Sequence, residues 1–159
     1  MTTPGVDERA TELTGTPLSP GIAVGPLLLL TEPLSFWGGV DEHGRVIDVH
    51  HPQHGLPLTG TVLVLRSGRG SSSSAAVLAE QIRARTAPAG IILGEPDGIL
   101  VAGALVAGEL YDVHVPVLTL PQQTYDRLAV VAPSDRTRAV TAHVVAADGS
   151  ATVTLEGAR

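Results

Sequence analysis

Continuous aliphatic runs alternate with helix-spaced apolar positions along the middle of this 159-residue chain. The run GTVLVLRSG, residues 60–68, is typical of a strand that is covered on both faces. Residues 72–85 follow with apolar side chains at helical spacing and without Gly or Pro, which predicts a helix. A strand over residues 88–93, a helix over 96–111 and a strand over 115–120 continue the order. This βαβαβ order predicts a parallel sheet with right-handed crossovers.

The segments on either side of this unit predict shorter β structure. The apolar run at residues 27–30 lies between glycine and proline breaks, which indicates a strand. A short strand is also expected around residues 46–49, and residues 138–157 predict a hairpin that turns at Asp148-Gly149. Residues 1–15 are polar and lack periodicity, so we expect a flexible N-terminal arm ahead of one domain over residues 16–159.

The composition excludes several kinds of site and argues against some partners. It has no Cys, which excludes disulfides, thiol nucleophiles and cysteine-bound zinc or iron–sulfur clusters on this chain. The formal net charge of -6, with no Lys, argues against a nucleic-acid partner. The N-terminus lacks a secretory pattern and the apolar stretches are too short to span a membrane. We therefore expect a cytoplasmic protein.

The stretch SGRGSSSSAAVLAE, residues 67–80, joins the first strand of the predicted parallel unit to its first helix. Its serines lie at the carboxyl end of a parallel strand, where open α/β sheets bind ligands. Gly68 and Gly70 let the backbone curl, and residues 71–74 place hydroxyl and N–H groups at a helix N-terminus, which favours an anion. The alternative is that one serine only caps the helix. A Walker loop is excluded because its lysine is missing.

The helix alone cannot convert a serine of this loop into a base. A helix terminus contributes about 0.3–1 kcal/mol, or about 2 kcal/mol when partly buried. One unit of pKa corresponds to about 1.4 kcal/mol, so neither this effect nor a small addition from Arg69 ionises a serine near pH 7. The remaining help must come from a neighbouring His, a cation of another subunit or a metal. The loop is therefore predicted to be half of a site.

A histidine-rich segment, DVHHPQHG, is a second candidate site. It carries Asp48, His50, His51 and His54, and these residue types fit a metal site. Because Pro52 forces an extended turn, the histidines are not presented on one helical face. A surface or interface loop is therefore favoured over metal binding, and substrate contact stays open.

The aromatic pair and three carboxylates also have two interpretations each. Phe36 and Trp37 either pack in the core or form an aromatic wall at an interface, where Trp is enriched. Glu95, Asp97 and Glu109 flank or lie on the second predicted helix. For these carboxylates we favour solvated helix-end charges over a role in chemistry.

Four blocks of sequence resemble, in order, the small subunit or swivel domain of aconitase X. They fall between about residues 16 and 120 and are PLSFWGGVDEHGRVIDVHHPQHG, LTGTVLVLRSGRGSSSSAAVLAE, APAGIILGEPDGILVAGALVAGELY and VPVL. The resemblance implies an α/β fold of the swivelling β/β/α type. In this fold a central parallel βαβαβ unit is joined to a barrel-like β layer that the C-terminal hairpin closes.

The resemblance also implies a hydro-lyase complex. A large subunit would hold an iron–sulfur cluster or metal and bind a small hydroxy acid, and this chain, which needs no cofactor of its own, would present a serine as general base. The family pattern of a glycine followed by two serines matches Gly70-Ser71-Ser72. Ser71 is therefore carried over as the base, with Arg69, Gly70 and Ser72 as substrate contacts. True aconitases have Arg where this chain has Ser73, so their substrate contacts do not transfer.

Two activities of the family remain open, together with a different class of function. The bacterial activity is dehydration of cis-3-hydroxy-L-proline, and the archaeal one is dehydration of mevalonate 5-phosphate. A composition rich in Ala, Arg and Val and free of Lys favours the bacterial substrate. The competing class is a stand-alone binding module or carrier, although a phosphohistidine carrier would need a His within residues 67–74. We expect the large subunit to bury a face made of Phe36-Trp37, residues 50–54 and the loop that carries Ser71.

Overall fold

The computed structural model describes residues 11–157 as a closed seven-stranded barrel with four helices. In chain order the elements are β1 (Thr11–Ser19), β2 (Gly21–Leu29), α1 (Phe36–Gly39, a single turn), β3 (Val62–Leu65), α2 (Ser73–Ala84), β4 (Gly90–Leu93), α3 (Gly98–Tyr111), β5 (Val117–Thr119), α4 (Gln122–Val131), β6 (Thr141–Ala147) and β7 (Ser150–Glu156). None of the helices within this range is long and apolar enough to cross a lipid bilayer.

Four neighbouring strands of the barrel are parallel. The strand order is β1-β5-β4-β3-β2-β6-β7, and the β2–β3, β3–β4 and β4–β5 pairs are parallel while the others are antiparallel. The predicted βαβαβ unit is confirmed as β3-α2-β4-α3-β5. Because the strands are parallel, the loops that follow β2, β3, β4 and β5 all leave at one edge of the sheet.

The aliphatic runs of β3 and β4 are buried on both faces, as their composition predicts. On one face Leu63, Leu65 and Ile91 pack with the buried side of α2 and α3. On the other face alternate residues of the same strands pack with α4 and with the inward side of β6 and β7 in the barrel interior. One apolar cluster thus lies between the parallel strands and the helices α2 and α3, and the other fills the barrel interior.

The barrel is closed by the C-terminal hairpin together with a strand that the sequence did not predict. The hairpin β6–β7 turns at Asp148-Gly149 as expected. β1 then pairs with β7 through residues 11–15 and with β5 through residues 16–19. A Cβ at Gly15, where β1 changes partner, would overlap the carbonyl oxygen of Thr119, so this close approach requires a glycine.

Three expectations from the sequence differ from the structure: the extent of the N-terminal arm, one short strand and one helix. The expected arm over residues 1–15 is wrong for residues 11–15, which are strand residues paired with β7, while residues 1–10 lie outside the described part. Residues 46–49 form an isolated bridge between Val46 and Val40 instead of a strand. α4 was not predicted, because its buried contribution is limited to Tyr125 and Leu128 and leaves little periodic signal.

Candidate functional site

The serine loop, residues 67–72, follows β3 at the edge where the parallel strands end. Gly68 forms a parallel bridge with Leu34, which lies in the loop after β2. The Arg69 N–H donates to the Leu34 carbonyl at 3.1 Å, and the Gly68 N–H donates to Asp97 Oδ2 at 2.9 Å. The backbone of the serine loop is therefore held by hydrogen bonds to the loops that follow β2 and β4.

Ser71 lies at the N-terminus of α2, where its hydroxyl meets the helix N–H groups. Its side chain is half-buried, and its Oγ accepts the Ser73 N–H at 3.3 Å. The Ser71 carbonyl accepts the Ser74 N–H at 3.0 Å, and this tight turn leads into α2. Ser71 thus acts as a cap with a long hydrogen bond, and Ser72 and Ser73 are exposed beside it.

Ser74 differs from the other serines because it is buried, with 4% of its surface exposed. Its Oγ accepts the Trp37 N–H at 3.1 Å and lies 3.3 Å from Ser35 Oγ. The Ser35 hydroxyl donates to the Trp37 carbonyl at 2.9 Å. Ser74 therefore joins the first turn of α2 to the turn that carries Trp37, a role that the sequence did not show.

The remaining predicted site residues lie along the exposed side of the same loop. Arg69, Gly70 and Ser72 are all exposed. A Cβ at Gly70 would meet nothing within 4 Å, whereas one at Gly68 would lie 2.6 Å from Asp97 Oδ2. A side chain at position 68 would thus displace the Asp97 carboxylate, whereas position 70 has open space. The structure brings Arg69, Gly70, Ser71 and Ser72 together in one surface, and their roles remain predictions.

The Asp97 carboxylate accepts hydrogen bonds from backbone N–H groups, so it is not the solvated charge that we expected. Its carboxylate is half-buried and accepts the N–H groups of Ile99 and Leu100, which caps α3. It also accepts the Gly68 N–H of the serine loop. Glu95 and Glu109 are exposed, as expected. The position of Asp97 at a helix start signalled the cap, but its contact with the serine loop had no signal in the sequence.

A cation at the start of the serine loop links it to α4. The Arg66 guanidinium lies 5.2 Å from the centre of the Tyr125 ring and 3.1 Å from Asp126 Oδ1. Burial raises the pKa of the Tyr125 phenol above its usual value, so this ring stays neutral near pH 7. Arg66 therefore connects β3 to the helix that packs against the barrel interior.

One histidine of the histidine-rich segment, His51, has a structural role. Both ring nitrogens of buried His51 are occupied, because Nδ1 accepts the Gln53 N–H and Nε2 contacts the Glu32 carbonyl, each at 3.1 Å. His50 and His54 are exposed. Within residues 11–157 no three His, Cys, Asp or Glu side chains gather as a metal-binding group. The choice between a surface or interface loop and a metal site at this segment stays a prediction.

The two aromatic residues before the glycine pair have opposite environments. Phe36 is in the core with 1% of its surface exposed, so its predicted place on an open face is wrong. Trp37 is 59% exposed and borders a groove of about 660 Å³. The groove lies beside α2 and is lined by Trp37, Val40, Asp41, Glu42, Ile47, Ser73, Ala76, Val77, Glu80, Gln81 and Ala84. It begins next to the serine loop, because Ser73 is one of its walls.

The rim of this groove carries negative charge. Arg83 donates from Nε to Glu80 Oε2 at 2.8 Å, and this bond holds the pKa of the Glu80 carboxyl below its usual value. Asp41 and Glu42 also line the groove. The groove is therefore lined by apolar side chains and by carboxylates, one of which is paired with Arg83.

Residues 12–145 match the family described as the aconitase X swivel domain. The chain belongs to this family. A solved structure, aconitase X from Thermococcus kodakaraensis in its holo-form, superposes with a TM-score of 0.70 and 27% identity, over 92% of this chain and 98% of that one. The predicted swivel-type fold is confirmed.

Two named relatives of the swivel domain differ in how much of their length it covers. A cis-3-hydroxy-L-proline dehydratase from Pseudomonas aeruginosa is 47% identical over 110 residues, which are 69% of this chain but only 19% of that protein. A phosphomevalonate dehydratase small subunit from Methanothermobacter thermautotrophicus is 41% identical over 107 residues, covering 67% of this chain and 77% of that subunit. The chain thus spans less than a quarter of the first relative and most of the second.

The buried hydroxyl of Ser74 predicts a stability difference between two neighbouring serines. Ser74→Ala should lower the free energy of unfolding by about 1–2 kcal/mol, because it leaves the Trp37 N–H without its acceptor. Ser73→Ala is the matched control, and its exposed hydroxyl should contribute less than about 0.5 kcal/mol. Urea denaturation of both variants checks this, and equal midpoints would contradict the role assigned to Ser74.

Proposed function

We propose that this swivel domain presents Ser71 as the general base of an aconitase X-type dehydratase, acting on a hydroxy acid bound by a large subunit. The observation that carries the proposal is the position of Ser71. Its half-buried hydroxyl lies at the N-terminus of α2, on the edge where the parallel strands end. The names of the two relatives support a dehydration reaction.

The hydrogen bond from Ser73 to Ser71 suits a base that has to be ionised before it acts. In the proposed reaction the ionised Ser71 Oγ removes the proton from the carbon beside the substrate carboxylate and is left as the neutral hydroxyl. The electron pair of that C–H bond forms a C=C bond, and the hydroxyl on the next carbon leaves. The Ser73 N–H, which donates to Oγ at 3.3 Å, favours the ionised form of the Ser71 hydroxyl and helps to make it a base.

Three neighbours of Ser71 are assigned to the substrate carboxylate. Arg69 supplies a positive charge on the exposed side of the loop, and Ser72 supplies a hydroxyl group. The open space at Gly70 lets a ligand approach the backbone N–H groups directly. Together these groups would orient the acid with its proton toward Ser71.

The leaving hydroxyl requires help that this chain does not provide. The chain has no Cys, and the described residues offer no cluster of three metal-ligating side chains. The donor set therefore does not fit the iron–sulfur cluster or metal that the family resemblance implies. We assign that group to the large subunit, which would bind over the serine loop.

The preferred substrate is cis-3-hydroxy-L-proline, with mevalonate 5-phosphate as the alternative. The Pseudomonas relative, a cis-3-hydroxy-L-proline dehydratase, is 47% identical to this chain, against 41% for the phosphomevalonate dehydratase subunit. The alternative is supported by length, because the chain covers 77% of that small subunit. Assaying the reconstituted complex with both acids distinguishes them.

Substitution of Ser71 tests the base directly. Ser71→Ala in the reconstituted complex should lower kcat by about 10²–10⁴-fold, the usual contribution of a general base. KM should change little, because Arg69 and the loop N–H groups still hold the carboxylate. Dehydration of each acid is followed in the complex and in the single chain with metals chelated, and we expect turnover only in the complex.

Two controls separate catalysis from helix capping. Ser73→Ala keeps the backbone N–H that Ser71 accepts and should keep most of the activity. If Ser71 only caps α2, Ser71→Ala would lower stability by about 0.5–2 kcal/mol and leave kcat nearly normal. That pattern, or turnover by the single chain, would rule out the proposed role of Ser71.

The exposed Trp37 predicts where the large subunit binds. Trp37→Ala should raise the Kd for the large subunit by about 30-fold or more, as expected for an aromatic anchor in a buried interface. Val130→Ala, 84% exposed on α4, is the control because α4 packs on the barrel side. Isothermal titration calorimetry measures both, and equal affinities would place the interface elsewhere.

A further inference from the structure

One carboxylate, Asp97, connects the α3 N-terminus to the serine loop. Its Oδ1 accepts the N–H groups of Ile99 at 3.0 Å and Leu100 at 3.1 Å. Its Oδ2 accepts the Gly68 N–H at 2.9 Å, across 29 positions of the sequence. The two oxygens thus have different partners, one inside the helix and one in the loop that leads to Ser71.

The Asp97 carboxylate lies so close to Gly68 that there is no space for a side chain between them. A Cβ at position 68 would lie 2.6 Å from Asp97 Oδ2, so any residue other than glycine would displace the carboxylate. The Arg69 N–H is held on the other side of the loop by the Leu34 carbonyl at 3.1 Å. Gly68 and Arg69 are therefore fixed from two directions, and Ser71 follows two residues later.

We propose that Asp97 is a positioning residue, which holds the serine loop so that the Ser71 hydroxyl faces the substrate. The catalytic part of this inference rests on the proposed function, whereas the hold on the loop does not. A carboxylate suits the position because both of its oxygens accept hydrogen bonds. Its negative charge is also favourable at the N-terminus of α3.

The competing explanation is that Asp97 only caps α3, and an amide separates the two roles. Asn is as good a helix cap as Asp, so Asp97→Asn can keep its carbonyl oxygen on Ile99 and Leu100. The amide nitrogen of the new side chain would then replace Oδ2. Because this nitrogen is a donor and cannot accept the Gly68 N–H, the hydrogen bond to the loop is lost. Asp97→Ser is a second variant, since its hydroxyl caps the helix but is too short to reach Gly68 as well.

Amide hydrogen exchange of this chain, measured by NMR, tests the hold on the loop without any assay of activity. In both variants the Gly68 and Arg69 amides should exchange at least about tenfold faster, while the α3 amides stay protected. Asp135→Asn is the matched control, because the exposed Asp135 carboxylate accepts hydrogen bonds from neighbouring Thr137. Exchange within about twofold of the wild type in both Asp97 variants would overturn the proposal.

Kinetics of the reconstituted complex test the catalytic part. Asp97→Asn should lower kcat by about 10- to 100-fold, as a small misplacement of a catalytic group does, with a much smaller change in KM. Gly68→Ala should have a similar effect, and the double variant should lose less than the product of the two single losses. Faster loop exchange with normal kcat would overturn the positioning role. If the wild-type complex dehydrates neither acid, the proposed function fails, and hydrogen exchange alone decides whether Asp97 holds the loop.

Discussion

Parallel pairing of β2, β3 and β4 is the constraint on which the rest of the site depends. Parallel neighbours send their following loops to the same edge, so segments far apart in the chain meet there. Leu34 can pair with Gly68 because β2 lies beside β3, and Asp97 can reach Gly68 because β4 lies on the other side. The apolar runs that bury both faces of β3 and β4 thus decide the backbone geometry of the serine loop.

The same arrangement couples the candidate base to the surface assigned to the partner. Ser74, three residues after Ser71, holds the Trp37 turn through its buried hydroxyl. Trp37 borders the groove beside α2, and Ser73 forms part of the wall of that groove. A large subunit that binds at Trp37, as proposed above, would therefore lie close to the first turn of α2.

Sequence predicted the parts of this molecule that depend on local pattern. The buried strands, α2, α3 and the hairpin at Asp148-Gly149 follow from periodicity and turn chemistry, and the serine loop follows from its place between a strand and a helix. β1 was missed because it is a mostly polar strand whose partners, β5 and β7, lie about a hundred or more positions further along the chain. The contacts of Asp97 with Gly68 and of Ser74 with Trp37 were missed for the same reason. Each hydrogen bond joins segments that only the tertiary fold brings together.

The central claim is that Ser71 faces a substrate held by another subunit. A crystal structure of the reconstituted complex with cis-3-hydroxy-L-proline bound tests this most directly. The account predicts the Ser71 hydroxyl at about 3 Å from the carbon that loses its proton, the distance at which a base acts. Arg69 should lie against the substrate carboxylate. A serine loop turned to solvent, with a side chain of the large subunit next to that carbon, would contradict the account.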